Sequence, residues 1–180
     1  MSDIKQSVFS NYNTDFASAD ADKDGSFNSF FPSDGIHNCV VTGVSQMDAK
    51  FRERDGAETH EHDATLIKFH YTLLSDPGSE GDPRSFEGAP FVFPNGGKDS
   101  LVTEKGRTRV DIAIRRLKGH VTSILGSAAT PGSGLEEIVT MTQTEEIPVE
   151  VKCDTRISKD GSGKAWSTEW ITQRLAQDGM

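Results

Sequence analysis

Aromatic and basic side chains recur on segments of this sequence that alternate between apolar and polar residues. Flat rings stack on nucleobases and nearby cations neutralise phosphates, which is how proteins bind single-stranded nucleic acid without reading its sequence. The candidate stacking rings are Tyr71, Phe86, Phe91, Phe93, Trp166 and Trp170. The candidate phosphate contacts are Lys68, Arg84, Arg115, Arg116, Lys118, Lys152 and Arg156. Together they predict a surface that binds single strands.

Strand alternation indicates which of these candidates face outward. Lys68, Lys152 and Arg156 alternate with apolar neighbours, so we expect them to project from a sheet whose apolar side chains fill the core. Trp166 and Trp170 share one face of the last predicted strand. For these two residues, burial and ligand contact are equally open interpretations.

For several other candidates, a structural position in the core or on a solvated helix face is the stronger interpretation. Tyr71 shares a face with apolar neighbours, which favours a core position. Phe91 and Phe93 flank a valine and have no polar face between them, which also favours the core. The basic residues of 105–118 have the alternative of forming only a solvated helix face.

Charge is divided unevenly along the chain. The net charge is −9, which by itself disfavours binding to a polyanion. Acidic residues dominate 1–34, whereas basic residues dominate 105–118. Because a polyanion responds to the local patch more than to the total charge, the net charge does not decide the function.

The sharpest short motif lies in the acidic N-terminal segment. Asp20, Asp22 and Asp24, followed by Gly25, match the first half of a calcium loop, where carboxylates alternate and a glycine allows the sharp turn. The twelfth position, which holds a bidentate glutamate in such loops, is Phe31. We expect the segment to bind no ion, with a weak calcium or magnesium site as the alternative.

The sequence has no recognisable catalytic motif. His60 and His62 have no HExxH or CxxC pattern around them, and neither a GxSxG nucleophile nor a phosphate-binding glycine loop occurs. We expect a protein that binds and does not catalyse, with no cofactor and no metal. Abundant acidic residues leave a metal-dependent nuclease or other hydrolase as an alternative.

The order of elements predicts a mainly β protein. The predicted strands cover 36–45, 64–74, 85–94, 147–157 and 166–175, and a run of 3.6-residue period predicts a helix over 110–125. The segment 46–63 is a loop or an extended hairpin, and 135–141 is a short helix or strand. This order is that of a five-stranded OB-fold-like barrel with one helix between strands three and four.

This assignment divides the chain into three segments. Residues 1–33 form an acidic, partly flexible arm, 34–176 form the core, and 177–180 form a short tail. Cys39 and Cys153 lie inside apolar runs and are expected to be buried free thiols. No apolar run is long enough for a membrane helix and no signal sequence opens the chain, so we expect a cytoplasmic location.

Six segments resemble the single-stranded DNA-binding proteins encoded by bacteriophages. They are DGIHNCVVTGV, ATLIKFHYTLL, SFEGAPFVFP, RRLKGHVTSILG, IPVEVKC and GSGKAWSTEWI, within about residues 34–175. The resemblance implies an OB-fold that coats single strands during phage replication or recombination in the host cytoplasm. It implies phage replication or recombination proteins as further partners and leaves a homo-oligomer open. The chain departs from the family at its end, LAQDGM, where many relatives have a strongly acidic tail.

A second class of function stays open. The protein is alternatively a non-enzymatic virion or assembly component built on a β-barrel. The net charge of −9 and the phenylalanine-rich N-terminal arm favour this alternative, since such an arm can dock on a neighbouring subunit. A stable oligomer without affinity for oligonucleotides would indicate it.

Overall fold

The structure is a computed structural model that describes residues 30–74, 84–126, 131–157, 159, 161–163 and 165–176. These residues form six strands, two α-helices and one 3-10 turn. The strands are β1 (Gly35–Asp55), β2 (Glu58–Leu73), β3 (Arg84–Glu87), β4 (Phe91–Pro94), β5 (Ile147–Ile157) and β6 (Ala165–Arg174). The helices are α1 (Glu104–Leu125) and α2 (Pro131–Thr144), and the 3-10 turn is Lys98–Ser100. The prediction of a mainly β protein is confirmed.

The strands form one antiparallel sheet in the order β3-β2-β1-β5-β6, and β4 also pairs with β2. Within the described residues β6 pairs with neither β3 nor β4, so the sheet is open there. The sheet has one strand more than predicted, because the predicted third strand is divided into β3 and β4.

This division occurs where the backbone leaves the hydrogen-bond ladder. Gly88 still continues the register by donating its N–H to the carbonyl of Phe69 at 2.9 Å, but Ala89 donates its N–H to the carboxylate of Glu169 at 2.6 Å. Pro90 has no N–H to donate. Ala89 and Pro90 therefore cannot continue the ladder.

The extended hairpin is the correct alternative for 46–63. β1 continues to Asp55 and β2 begins at Glu58, with Gly56 in the turn at a φ of 60°, where glycine is favoured. Phe51 and Glu53 are buried on its inner face. The many charged residues obscure this alternation in the sequence.

Two helices, rather than one, connect β4 to β5. α1 begins earlier than the predicted helix, because Thr103 caps it: the Thr103 hydroxyl accepts the N–H of Gly106 at 3.0 Å. The segment 135–141 lies within α2, so the helical alternative is correct. In the part of the chain described here, neither helix has the length and apolar character needed to cross a membrane.

The described residues pack as two compact units. The first unit comprises Ser45–Lys68 and Pro90–Arg115. Its core cluster consists of Phe51, Ala64, Leu101 and Val110, with Val92 and Phe93 packed against it. The second unit comprises the described residues of 29–44, 69–89 and 116–180. Its buried side chains include Cys39, Val41, Phe69, Tyr71, Ile147, Val149 and Val151.

Cys39 and Cys153 are both buried and free, as predicted. In the β1–β5 ladder, Cys39 lies opposite Val149 and Cys153 lies opposite Gly35. The two cysteines are thus four residue steps apart along the strands, roughly 13 Å, which is too far for a disulfide. Burial raises the pKa of both thiols to about 12.

Candidate nucleic-acid interface

β5 and β6 form a hairpin whose two faces differ. On β5, Val151 and Cys153 are buried, whereas Lys152 and Arg156 are exposed. On β6, Glu169 is buried. Because successive side chains of a strand point to opposite sides, the hairpin has one inner and one outer face.

The pairing register brings four predicted site residues together on the outer face. Lys152 lies opposite Trp170, and Arg156 lies opposite Trp166. Directly paired side chains of an antiparallel ladder have Cβ atoms roughly 5 Å apart, so each tryptophan is paired across the strands with a basic residue. A third pair lies between these two. The six residues of the three pairs, which we call the tryptophan ribbon, are Lys152, Asp154, Arg156, Trp166, Thr168 and Trp170.

Arg156 has two partners within the ribbon. Its guanidinium carbon lies 5.8 Å from the centroid of the Trp170 ring, and its Nε donates to Oδ2 of Asp154 at 3.2 Å. An exposed cation–π contact contributes about 0.5–1 kcal/mol. The side chains of Arg156 and Asp154 are 57% and 37% exposed, so solvent screens their ion pair.

Two large apolar side chains on the outer face are exposed to solvent. Trp166 is 48% exposed and Ile36 is 62% exposed. Ile36 lies opposite Lys152 on β1, so its side chain stands on the same face as the ribbon. Exposed apolar surface beside cations suits contact with a planar base. The sequence analysis missed Ile36, because no alternation around it distinguishes an outward isoleucine from a core one.

Four predicted stacking residues do not present a ring face. Tyr71 and Phe91 have no exposed surface and Phe86 is 4% exposed, while Phe93 packs partly buried against the core of the first unit. The rings of Tyr71 and Phe86 are stacked with their centroids 5.0 Å apart. These residues are core residues in the structure, and we leave them out of the interface.

Four other predicted cations lie on different elements. The guanidinium carbon of Arg84, on β3, lies 5.1 Å from the ring centroid of Phe30. Lys118 is exposed on α1 in the second unit. Arg115, also exposed on α1, and the half-buried Lys68 on β2 belong to the first unit.

Arg116, another predicted phosphate contact, faces a buried carboxylate. Glu169 is fully buried, and its Oε2 accepts the N–H of Ala89 at 2.6 Å. Arg116 Nη2 lies 3.8 Å from the same oxygen, and His120 Nε2 lies 3.4 Å from Oε1. A Cβ on Gly88 would collide with this carboxylate. The cluster joins β6 to the connection between β3 and β4, so it supports the ribbon from its inner side.

Sequence reasoning missed Glu169, although one signal was present. It occupies the inward position between two outward tryptophans, in a strand whose other inward positions include the buried Ile171. An acidic residue at a buried strand position requires compensating partners. Such a pattern predicts a buried ionic contact without identifying its partners.

A second buried carboxylate organises the first unit. Glu53 accepts the N–H groups of Val102 at 3.0 Å and Thr103 at 2.6 Å, the Thr103 hydroxyl at 2.7 Å, and contacts His62 Nε2 at 3.0 Å. Burial by itself raises the pKa of Glu53, but these hydrogen bonds outweigh it and lower the pKa to about 2. The ionised carboxylate lies at the positive N-terminus of α1 and over Gly106, where a Cβ would collide with it.

Within the described ranges, no three His, Cys, Asp or Glu side chains are grouped to hold a metal ion. His62 instead contacts Glu53 at 3.0 Å. The calcium-like segment 20–28 and the rest of the predicted arm up to residue 29 lie outside the described residues, as does the predicted tail 177–180.

No family model, curated protein or solved structure matches this chain. The geometry of the tryptophan ribbon is therefore the basis on which a function is proposed.

Proposed function

We propose that the protein binds single-stranded DNA without sequence preference, through the tryptophan ribbon, and that it is not an enzyme. The observation that carries this proposal is the pairing of each tryptophan with a cation, Trp166 with Arg156 and Trp170 with Lys152. Stacking contributes about 1–3 kcal/mol per base, and cations beside the rings add a salt-dependent attraction for phosphates.

The ribbon is short, so cations on other elements are candidates to extend the phosphate path. It has two cations and one acid, Asp154, and supports only a modest electrostatic attraction by itself. Arg84 and Lys118, which belong to the same unit as the ribbon, are the candidates for this extension. Replacing each of them and measuring the salt dependence of binding decides whether it contacts the phosphates.

In this proposal the sheet is that of an OB-fold. With β3 and β4 counted as one interrupted strand, the order is third, second, first, fourth and fifth, which is compatible with a partly open five-stranded barrel. OB-folds bind oligonucleotides partly through the loop that joins their last two strands. In this proposal the protein coats transient single strands during phage replication or recombination in the host cytoplasm, with phage replication or recombination proteins as further partners.

The test is a titration with oligo-dT at low and at high salt. Binding is monitored by intrinsic tryptophan fluorescence and by the anisotropy of a labelled oligonucleotide. Quenching that weakens as salt rises is expected, because phosphate contacts release counterions. Trp166→Ala should weaken binding by about 1–3 kcal/mol while leaving the melting temperature nearly unchanged. The matched control is Ile112→Ala, which removes a 51% exposed apolar side chain from α1. Wild-type protein that neither quenches nor shifts the anisotropy would refute the proposal.

One observation favours a second candidate, a role in assembly. Ile36 and Ile157 are 62% and 67% exposed, and exposed apolar side chains of this size mark protein contacts as well as ligand sites. Sedimentation velocity separates the two candidates. A stable oligomer, disrupted by Ile157→Ser and without affinity for oligo-dT, would indicate an assembly component.

A further inference from the structure

The two tryptophans of the ribbon have different surroundings. Trp170 is half-buried, and the guanidinium of Arg156 lies over its ring at 5.8 Å. Trp166 is 48% exposed, and among the cation–π contacts of the described residues none involves its ring. One ring is thus partly covered by a cation, and the other is open to solvent.

Arg156 leans away from its cross-strand neighbour. It is paired in register with Trp166, yet its guanidinium is found at Trp170, four residues further along β6. Asp154 lies on the same face, two residues earlier on β5, and accepts the Arg156 Nε–H at 3.2 Å. The carboxylate therefore pulls the arginine along the strand, and the Trp170 ring supports it there.

The remaining donors of Arg156 are suited to a phosphate. A guanidinium has five N–H groups, and only the one on Nε is used in the contact with Asp154. The side chain is 57% exposed, so its terminal nitrogens are accessible to a ligand. An arginine already held in one rotamer loses less conformational entropy on binding than a free one.

Given the proposed function, we propose that the tryptophans divide the work of the site: Trp166 stacks on a base, whereas Trp170 and Asp154 are positioning residues that hold Arg156 for a phosphate contact. Asp154 thus supports binding to a polyanion although it is itself an anion. Simple electrostatics predicts the opposite sign for its removal, which makes the assignment testable.

The stacking role is tested with single-tryptophan variants, since the chain has only two tryptophans. Trp170→Phe leaves Trp166 as the sole fluorophore and keeps a ring beneath Arg156, and oligo-dT should quench it strongly. Trp166→Phe leaves Trp170, which should be quenched weakly. Quenching of Trp170 equal to or stronger than that of Trp166 would overturn the assignment. Melting temperatures confirm that both variants fold.

The positioning role is tested with a double-mutant cycle on Asp154 and Arg156, measured by anisotropy of labelled oligo-dT. Arg156→Ala should reduce the slope of log affinity against log salt by about 0.7. Asp154→Ala should weaken binding in the wild-type background, but not in the Arg156→Ala background. An equal effect of Asp154→Ala in both backgrounds, or tighter binding in wild type, would overturn the positioning role.

The same measurements separate this inference from the function on which it depends. If the wild-type protein binds oligo-dT but both tryptophans are quenched equally, or the double-mutant cycle shows no coupling, the division of roles is refuted. The proposed function then still stands. Wild-type protein that does not bind oligo-dT refutes both.

Discussion

The β1–β2 and β5–β6 hairpins expose faces of different chemistry. Near the turn of the β1–β2 hairpin, outward cations are matched by acids on the neighbouring strand: Lys50 pairs with Asp63, and Arg52 pairs with Glu61 at 2.8 Å. On the β5–β6 hairpin, Arg156 has an aromatic ring as well as an acid for a partner. Cations thus occur on both hairpins, but only the second places them beside tryptophans.

This difference shows why counting basic residues does not locate an anion-binding surface. A cation paired with a carboxylate forms a nearly neutral unit, and a phosphate must compete with that carboxylate. Arg52 and Arg156 each donate Nε to an acid, but the guanidinium of Arg156 also lies against a ring, and that ring offers a stacking surface. The partner of a cation therefore indicates more about its function than its presence does.

The inner faces of the hairpins differ as well, since each buries one glutamate. Glu53, on β1, is satisfied mainly by hydrogen bonds from Val102 and Thr103, which immediately precede α1. Glu169, on β6, has one backbone donor and lies close to the guanidinium of Arg116 and the imidazole of His120. The first arrangement stabilises a carboxylate through N–H groups, and the second through side-chain charge.

The largest expected effect is on Glu169. Glu169→Ala leaves the partly buried Arg116 without its carboxylate, and breaking such a buried pair costs about 3–5 kcal/mol of the free energy of unfolding. Urea unfolding measures this loss, with Glu137→Ala on the exposed side of α2 as the control. A loss below about 1 kcal/mol would show that the cluster does not hold β6 in place.

Glu53→Gln should cost less, about 1–3 kcal/mol, because the amide keeps the shape but weakens hydrogen bonds to a charged acceptor. Since the pKa of Glu53 is lowered on folding from 4.5 to about 2, its ionised form adds stability above pH 4.5 that is lost as the pH falls towards about 2. The difference in unfolding free energy between wild type and Glu53→Gln should therefore be largest near neutral pH and shrink on acidification. A difference independent of pH between 2 and 7 would contradict this account.

The smallest expected effect is on the salt dependence of binding, and it compares the outer faces of the two hairpins. The double variant Lys152→Gln with Arg156→Gln should lower the salt slope of oligo-dT binding by about 1.4, the value for two phosphate contacts on a single strand. The matched variant Lys50→Gln with Arg52→Gln should leave the slope unchanged, since the β1–β2 hairpin has no tryptophan for a base to stack on and lies outside the proposed site. Equal reductions for the two hairpins would show that the tryptophans do not mark the phosphate-binding surface.

The regular parts of this fold follow from local patterns in the sequence. Alternation over 64–74, 147–157 and 166–175 predicted parts of β2, β5 and β6, and the 3.6-residue period predicted most of α1. The buried cysteines followed from the apolar runs around them. Alternation was less informative in 46–63, where charged residues occupy both the exposed positions and the buried position of Glu53.

The candidate site depended on information that alternation does not contain. The sequence placed Trp166, Trp170, Lys152 and Arg156 on strands, but only the pairing register put them opposite one another, because register is a relation between segments distant in the chain. For the same reason the sequence grouped Arg116 with the exposed cations, whereas the tertiary structure directs it to Glu169.

By itself, the sequence determined the type of the regularly patterned strands and of α1, the outward position of Lys152 and Arg156, and the availability of aromatic and basic groups. The tertiary structure alone decided how far each tryptophan is exposed, which cations are matched by acids, and which glutamates are held inside. These outcomes depend on contacts between residues far apart in the chain, and burial and pairing energies arise only when those contacts form.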